Sequence, residues 1–400
     1  MTTPPLGWRS DNHYTLLENG EAYFPAVQAA VDAARREVLI ETFILFDDKV
    51  GQALQQTLIA AAGRGVSVDL LLDGFGSDEL PPAFLAALTG AGVRVHLFDP
   101  RPRLLGVRTN VFRRMHRKIV AVDGTCAFVG GINFSADHLP DYGPEAKQDY
   151  ALRVQGPLAA DIADYARAAL DAARPRRQRP ARVEAVPDGD GGGRLVVRDN
   201  LSHPTDIERY YRAGLRSARQ DVLIANAYFF PGYRLLHDLA NAARRGVRVR
   251  LLLQGEPDML VAQLAASMLY DYLIDAGVEI FEYCKRPLHA KVACVDEDWS
   301  TVGSSNLDPL SLALNLEANV VARDTGLNAA LRASLERLIA EDCRPVSRGP
   351  ASRRRLRRFW VGVVVFHFLR RFPAWAGALP AHKPRLRTVL ASDAGESEAA

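Results

Sequence analysis

The stretch "MHRKIVAVDGTCAFVGGIN", residues 115–133, decides how the chain is read, because "LHAKVACVDEDWSTVGSSN", residues 288–306, repeats its key residues at identical spacing. His116 and Lys118 recur as His289 and Lys291, Asp123 as Asp296, Gly130 as Gly303 and Asn133 as Asn306. Each copy alternates well enough for a strand, which sends the histidine and the lysine two places on to one face, with Arg117 pointing the other way. If Asp123–Cys126 form a hairpin turn, His116 lies opposite Asn133 and Lys118 opposite Gly131. The second copy sets His289 opposite Asn306 and Lys291 opposite Ser304.

Such a corner suits an anion. A lysine supplies a point charge, an asparagine amide supplies donors, and small residues such as Gly131 or Ser304 let phosphate oxygens come close. An imidazole serves as nucleophile or proton carrier near neutral pH. Two such hairpins facing one another put a histidine on each side of a phosphorus atom, as an in-line double displacement requires. Asp123 and Asp296 sit at the turns, several strand rises from their histidines, and read as structural, bonding nearby backbone. A nucleophilic histidine also needs a carboxylate on its other ring nitrogen. Glu317 in "NLEANVV" follows the second copy, and Asp149 in "QDYALRV" follows the first at a spacing five residues longer, with Glu145 a lesser candidate.

The repeat extends outward. "REVLIETFILFDDKVGQALQQTLIAAAGRGVSVDLLLDG" (36–74) matches "QDVLIANAYFFPGYRLLHDLANAARRGVRVRLLLQG" (220–255): an apolar strand, a helical period, an Arg-Gly pair at a helix end and a second strand. That is a βαβ unit, and a repeat period of more than a hundred residues means domain duplication in an α/β protein rather than a solenoid. Residues 174–194 are rich in Pro, Arg and Gly and read as a linker. The expected division is a first half 1–173, that linker, a second half 195–345 and a tail 346–400.

The composition is that of a globular chain of 400 residues with a net charge of +3, so no large nucleic-acid-binding field is implied. Four cysteines without CxxC pairing read as buried thiols in a reducing compartment. The N-terminus lacks a signal-peptide pattern, and the main body is expected in the cytosol. With no HExxH, paired CxxC or EF-hand spacing, a positive pocket without a metal is the simpler reading.

The tail differs from the rest. Between Asp342 and Asp393 there are twelve basic residues and no acidic one, with "RRRLRR" at 353–358 and "FWVGVVVFHFL" at 359–369. Eleven apolar residues fall short of the roughly twenty a span needs. An interfacial anchor fits, with Phe359, Trp360 and Trp375 at headgroup level and the arginines drawn to anionic lipid. The basic-apolar insertion "DPRPRLLGVRTNVFRR" (99–114) is a second membrane-facing candidate.

Both copies satisfy H-x-K-x4-D-x6-G-[GS]-x-N, and on that signature the chain resembles the phospholipase D superfamily, the likeness running over residues 7–385. Stretches such as "YGPEAKQDYALRVQGP" and "TVGSSNLDPLSLALNLEANV" are similar to its cardiolipin-forming members. The resemblance implies a duplicated phospholipase D fold: two α/β/α halves with pseudo-twofold symmetry around one active site, plus a basic amphipathic C-terminal tail. It implies transfer of a phosphatidyl group between two phosphatidylglycerol molecules, giving cardiolipin and glycerol through a phosphohistidine, with no metal or other cofactor. The signature residues His116, Lys118, Asp123, His289, Lys291 and Asp296 would form the catalytic set, His116 as nucleophile and His289 as acid and base, or the reverse. Lys118, Asn133, Lys291, Ser304 and Asn306 would hold the phosphate. The expected partners are anionic phospholipid and the cytoplasmic face of the inner membrane, with no nucleic acid. A hydrolase of phospholipid or nucleic acid is the alternative enzyme, and a non-catalytic binding protein the alternative of another class.

Overall fold

Two runs of β-branched and leucine-rich segments, each interrupted by amphipathic helices, give two sheets in the computed structural model, which describes residues 6–100, 114–170, 191–255, 269–347 and 385–390. The first half contributes β1 (His13–Glu18), β2 (Glu37–Thr42), β3 (Ser67–Asp73), β4 (Arg94–Phe98), β5 (Ile119–Val122), β6 (Cys126–Gly130) and β7 (Tyr150–Gln155). The second contributes β8 (Gly192–Arg198), β9 (Asp221–Asn226), β10 (Arg248–Gln254), β11 (Glu279–Tyr283), β12 (Lys291–Val295), β13 (Trp299–Gly303), β14 (Glu317–Arg323) and β15 (Cys343–Pro345). A last strand, β16 (Leu386–Thr388), returns to the first half.

The strand orders are β1-β7-β6-β5-β2-β3-β4-β16 and β8-β14-β13-β12-β9-β10-β11-β15, the same mixed sheet built twice. In each, the βαβ units make a parallel trio (β2, β3, β4 and β9, β10, β11), and the signature hairpin joins antiparallel beside β2 or β9. The Arg-Gly signals mark helix ends as expected. The helices Lys49–Gly63 and Tyr233–Arg244 stop at Arg64 and Arg245, and Gly65 and Gly246 then turn the chain at φ of 84° and 91°, which a Cβ would oppose.

Each sheet packs its outer face on its own helices, and the inner faces meet. A shared core joins Ile119, Val129 and Leu152 of the first half to Val292, Val302 and Val320 of the second, flanked by the helices Pro157–Leu170 and Thr325–Asp342. That shared core fixes the signature hairpins against one another, and it is what makes one site out of two copies.

Three expectations are corrected. The hairpins pair one residue off the expected register, Ile119 with Val129 and Val292 with Val302, so Asn133 does not lie opposite His116. The reason lies in the turn: Asp123 and Asp296 take left-handed φ of 53° and 48°, so β6 and β13 begin three residues later, at Cys126 and Trp299. Strand β8 starts at Gly192, inside the segment read as linker, and β16 belongs to the first sheet although it falls in the segment read as tail. The rest of that tail, residues 348–384 and 391–400, and most of the 99–114 insertion lie outside the described residues.

Candidate active site

His116 and His289 precede β5 and β12, where the chain leaves its own sheet and bonds to the other half. The backbone N–H of His116 donates to Leu316 O at 2.9 Å, and that of His289 donates to Gln148 O at 2.7 Å. Those carbonyls belong to the residues just before Glu317 and Asp149. The side chains follow the backbone: His116 Nδ1 lies 3.0 Å from Glu317 Oε2, and His289 Nδ1 lies 2.6 Å from Asp149 Oδ2. Both carboxylates named from the sequence are therefore at the site, but each serves the histidine of the opposite half. Glu145 is exposed and makes neither of these bonds.

The imidazoles keep an edge open, at 13% and 15% side-chain exposure, while Glu317 and Asp149 are wholly buried. With Nδ1 committed to a carboxylate, Nε2 is the free nitrogen on each ring. Burial pushes His116 down to about 4 and His289 well below its ordinary value, so both rings are neutral at pH 7. The two carboxylates differ. Burial raises Asp149 to about 7, whereas burial of Glu317 is outweighed by the His116 ring, Lys118 and Ser304, which hold it below its usual range.

Lys118 and Lys291 are 2% and 0% exposed, and each Nζ donates to the carbonyl of its own histidine. Burial depresses them to about 7 and about 8, against the pull of Glu317 and Asp149. Two lysines, two carboxylates and two neutral rings thus lie close enough to act on one another's charge, an arrangement suited to an anion. Phe43 closes one wall, its ring 4.9 Å from His116 and 5.3 Å from Lys118 Nζ.

The asparagines are buried beside this group. Asn133 Oδ1 accepts from Ile44 N at 3.3 Å, which turns its NH2 away from that bond. Asn306 Oδ1 is buried with no partner. Ser304, expected on the phosphate, instead donates to Glu317 Oε2 at 2.5 Å and accepts from Ala318 N, so its hydroxyl is committed to holding the carboxylate. The first half needs glycine at that place: a Cβ on Gly131 would stand 2.4 Å from Asp149 Oδ1. This is the physical origin of the Gly/Ser difference between the copies.

Asp123 and Asp296 lie away from the chemistry. The Asp123 carboxylate accepts from the N–H groups of Arg35, Arg36 and Glu37, and that of Asp296 from Arg219, Gln220 and Asp221. Each ties its hairpin turn to the chain entering β2 or β9. These are the contacts expected of the structural reading of both residues.

Sequence reasoning missed His138. It is fully buried, its ring 5.6 Å from that of His289, and its Nε2 accepts from Asn133 N at 3.3 Å. Burial lowers it to about 3, so it is a neutral spacer. No second-half histidine repeats it, and repetition was the signal being followed. His138, Asp149 and His289 form a cluster with metal-like spacing, all ligand atoms within 4.8 Å. His138 Nδ1 is buried without a partner, but His289 Nδ1 and Asp149 are bonded to each other, and the positive charges of Lys118, Lys147 and Lys291 that bear on both rings oppose a cation there.

A duplicated α/β fold with paired histidines and lysines at the junction is what the phospholipase D-like enzymes have in common, and the family model "Cardiolipin synthase, PLD-like domain" matches residues 27–171 and 211–339. The chain belongs to that family. It is 54% identical over 387 residues to cardiolipin synthase B of Escherichia coli strain K12, covering 96% of this chain and 94% of that protein, and 52% identical over the same shares to cardiolipin synthase B of Salmonella typhi. Among solved structures it superposes on the phosphatidylserine synthase of Haemophilus influenzae Rd KW20 with a TM-score of 0.67 at 13% identity, covering 92% of this chain and 95% of that one, a likeness of fold.

Proposed function

We propose that the protein is a cardiolipin synthase that transfers a phosphatidyl group between two phosphatidylglycerol molecules, releasing glycerol, with His116 as nucleophile and His289 as acid and base. The observation that carries this reading is the pair of histidine–carboxylate bonds formed across the halves, in a chain more than half identical, almost end to end, to cardiolipin synthases B. His116 Nε2 attacks the phosphorus of one phosphatidylglycerol, the P–O bond to the headgroup glycerol breaks, and His289 gives its Nε2 proton to the departing oxygen while its Nδ1 takes up the proton carried by Asp149. The terminal hydroxyl of a second phosphatidylglycerol then yields its proton to His289 and attacks phosphorus. The P–N bond breaks, and cardiolipin leaves.

The difference between the carboxylates supports the division of labour. Glu317 is held ionised and suits a ring that must carry positive charge once phosphorylated. Asp149, raised to about 7 and 2.6 Å from His289, shares a proton at neutral pH and suits the group that gives one up and takes it back. Lys118, Lys291, Asn133 and Asn306 face the phosphate, and the two ammonium groups supply the positive charge that a metal ion supplies in other phosphoryl-transfer sites.

Both substrates are lipids, so the enzyme works at a membrane surface; the reading is a peripheral protein on the cytoplasmic face. No helix among the described residues is long and apolar enough to cross a membrane. Replacing the arginines of residues 353–358 with serine tests the attachment without removing β16, and undiminished sedimentation with anionic vesicles would sink it. The function is tested by product analysis in phosphatidylglycerol vesicles with chelator present. Cardiolipin and glycerol in equal amounts are expected; phosphatidic acid alone would make the protein a hydrolase.

A further inference from the structure

Each histidine is gripped by the other half from one side, and something must grip it from its own. The ladder across the halves uses the N–H of His116 and the carbonyl of Arg114, and correspondingly the N–H of His289 and the carbonyl of Pro287. That leaves the N–H of Met115 and of Leu288 turned back toward its own sheet. Both residues are buried, at 0% and 3% exposure, so both amides need an acceptor.

The acceptors come from the same place in each half. Strand β3 ends at Asp73 and β10 at Gln254, and these are corresponding strands. Met115 N donates to Asp73 Oδ2 at 2.7 Å, while Asp73 Oδ1 accepts from Phe75 N and Gly76 N at 2.9 and 3.0 Å. Leu288 N donates to Gln254 Oε1. Asp73 is itself fully buried. One side chain therefore ties the end of a central strand to the residue before the histidine, twice, and the repeated "LLLDG" and "LLLQG" carry it.

We propose that Asp73 and Gln254 are matched positioning residues, which set through the preceding amide the depth at which each imidazole meets the phosphate. They differ in charge, carboxylate on the His116 side and neutral amide on the His289 side. The inference rests on the proposed function only in taking the two histidines as the reacting groups. A displacement of about 1 Å at a reacting atom is enough to cost on the order of a hundredfold in rate, so a tether this close to each ring bears on turnover more than on binding. Asp73→Asn leaves one acceptor oxygen for two jobs, the turn at Gly76 or the amide of Met115. Gln254→Leu leaves none for Leu288, whereas Gln254→Glu keeps one.

The experiment uses the full-length protein with two readouts: kcat and KM for phosphatidylglycerol in vesicles, and the imidazole 15N resonances of His116 and His289 without substrate. Asp73→Asn is expected to shift the His116 resonances and leave those of His289 in place; Gln254→Leu is expected to do the reverse. Each should lower kcat by about a hundredfold with KM changed by less than about threefold, and Gln254→Glu should restore most of the rate. Asp69→Asn is the control, since it disturbs a contact of β3 with Arg94 and His96 and touches neither His116 nor His289. Resonances that stay put, or a kcat loss no larger than the control shows at equal folded fraction, would overturn the proposal. Should Asp73→Asn fail to fold, the Gln254 series decides alone. The resonances need no substrate, so a wild-type protein that makes no cardiolipin would overturn the function and leave this test standing.

Discussion

The first and second halves share a strand order, a hairpin and a histidine–lysine pair, and they differ in the carboxylate that each histidine meets. Around His116 the partner carboxylate is Glu317, steadied by Ser304 and held ionised. Around His289 it is Asp149, seated over Gly131 and raised to about 7. On the proposed mechanism, duplication provides the two histidines and the divergence of their neighbours lets one attack while the other carries a proton.

The sharpest way to break this comparison is to remove each histidine. His116→Ala and His289→Ala are each expected to lower cardiolipin formation by a factor on the order of 10⁴ or more, because neither half-reaction has a substitute. With a phosphodiester carrying an activated leaving group, His289→Ala should still trap label on the protein and His116→Ala should not. The opposite pattern would reverse the roles. Next come the carboxylates: Glu317→Gln and Asp149→Asn should each cost about 10²–10³-fold in kcat. Glu317→Gln should perturb the imidazole resonances of His116 rather than His289, and the converse would restore pairing within each half.

Smaller effects test the surroundings. Gly131→Ala drives a methyl into the Asp149 carboxylate and is expected to cost about tenfold in kcat and about 1–3 kcal/mol in stability, with Ser304→Ala milder in both. The lysines set a pH dependence. With pKa values lowered to about 7 and 8, Lys118 and Lys291 lose charge as pH rises through that range in the free enzyme. Bound phosphate holds the protons on, so kcat/KM should fall between pH 7 and 9 while kcat holds; a flat kcat/KM would contradict the buried-ammonium picture. Last, Asp123→Ala or Asp296→Ala should lower Tm, at a cost of about 2–3 kcal/mol for a charged acceptor of several amides, and leave the kcat of the folded fraction unchanged.

Much of this was legible in the residues. Repeated strand-helix-strand patterns specified both sheets, the signature located both hairpins, and the two carboxylates named from the sequence are hydrogen-bonded to the histidines. What the sequence hid has a common cause. Hairpin arithmetic assumed the tightest turn, and the register moved because Asp123 and Asp296 take left-handed conformations to reach amides in a distant segment. Spacing along the chain suggested Asp149 for His116, but the bonds run across the shared core, where distance in sequence says nothing. Asp73 and Gln254 were visible as a repeat and gave no chemical hint until the amides of Met115 and Leu288 were seen to need them.

Strand β16 carries a consequence for how the protein is made. It covers the edge of β4, with Thr388 beside His96 and Leu386 packed near Phe98 and Met115, yet it lies beyond every other described strand in the order of synthesis. While the ribosome is still making the second half, the first half holds an uncovered edge strand, the kind of surface that recruits chaperones or pairs with a neighbouring chain. Nascent chains stopped before Leu386 should therefore be the ones that aggregate, even with both histidines already in place.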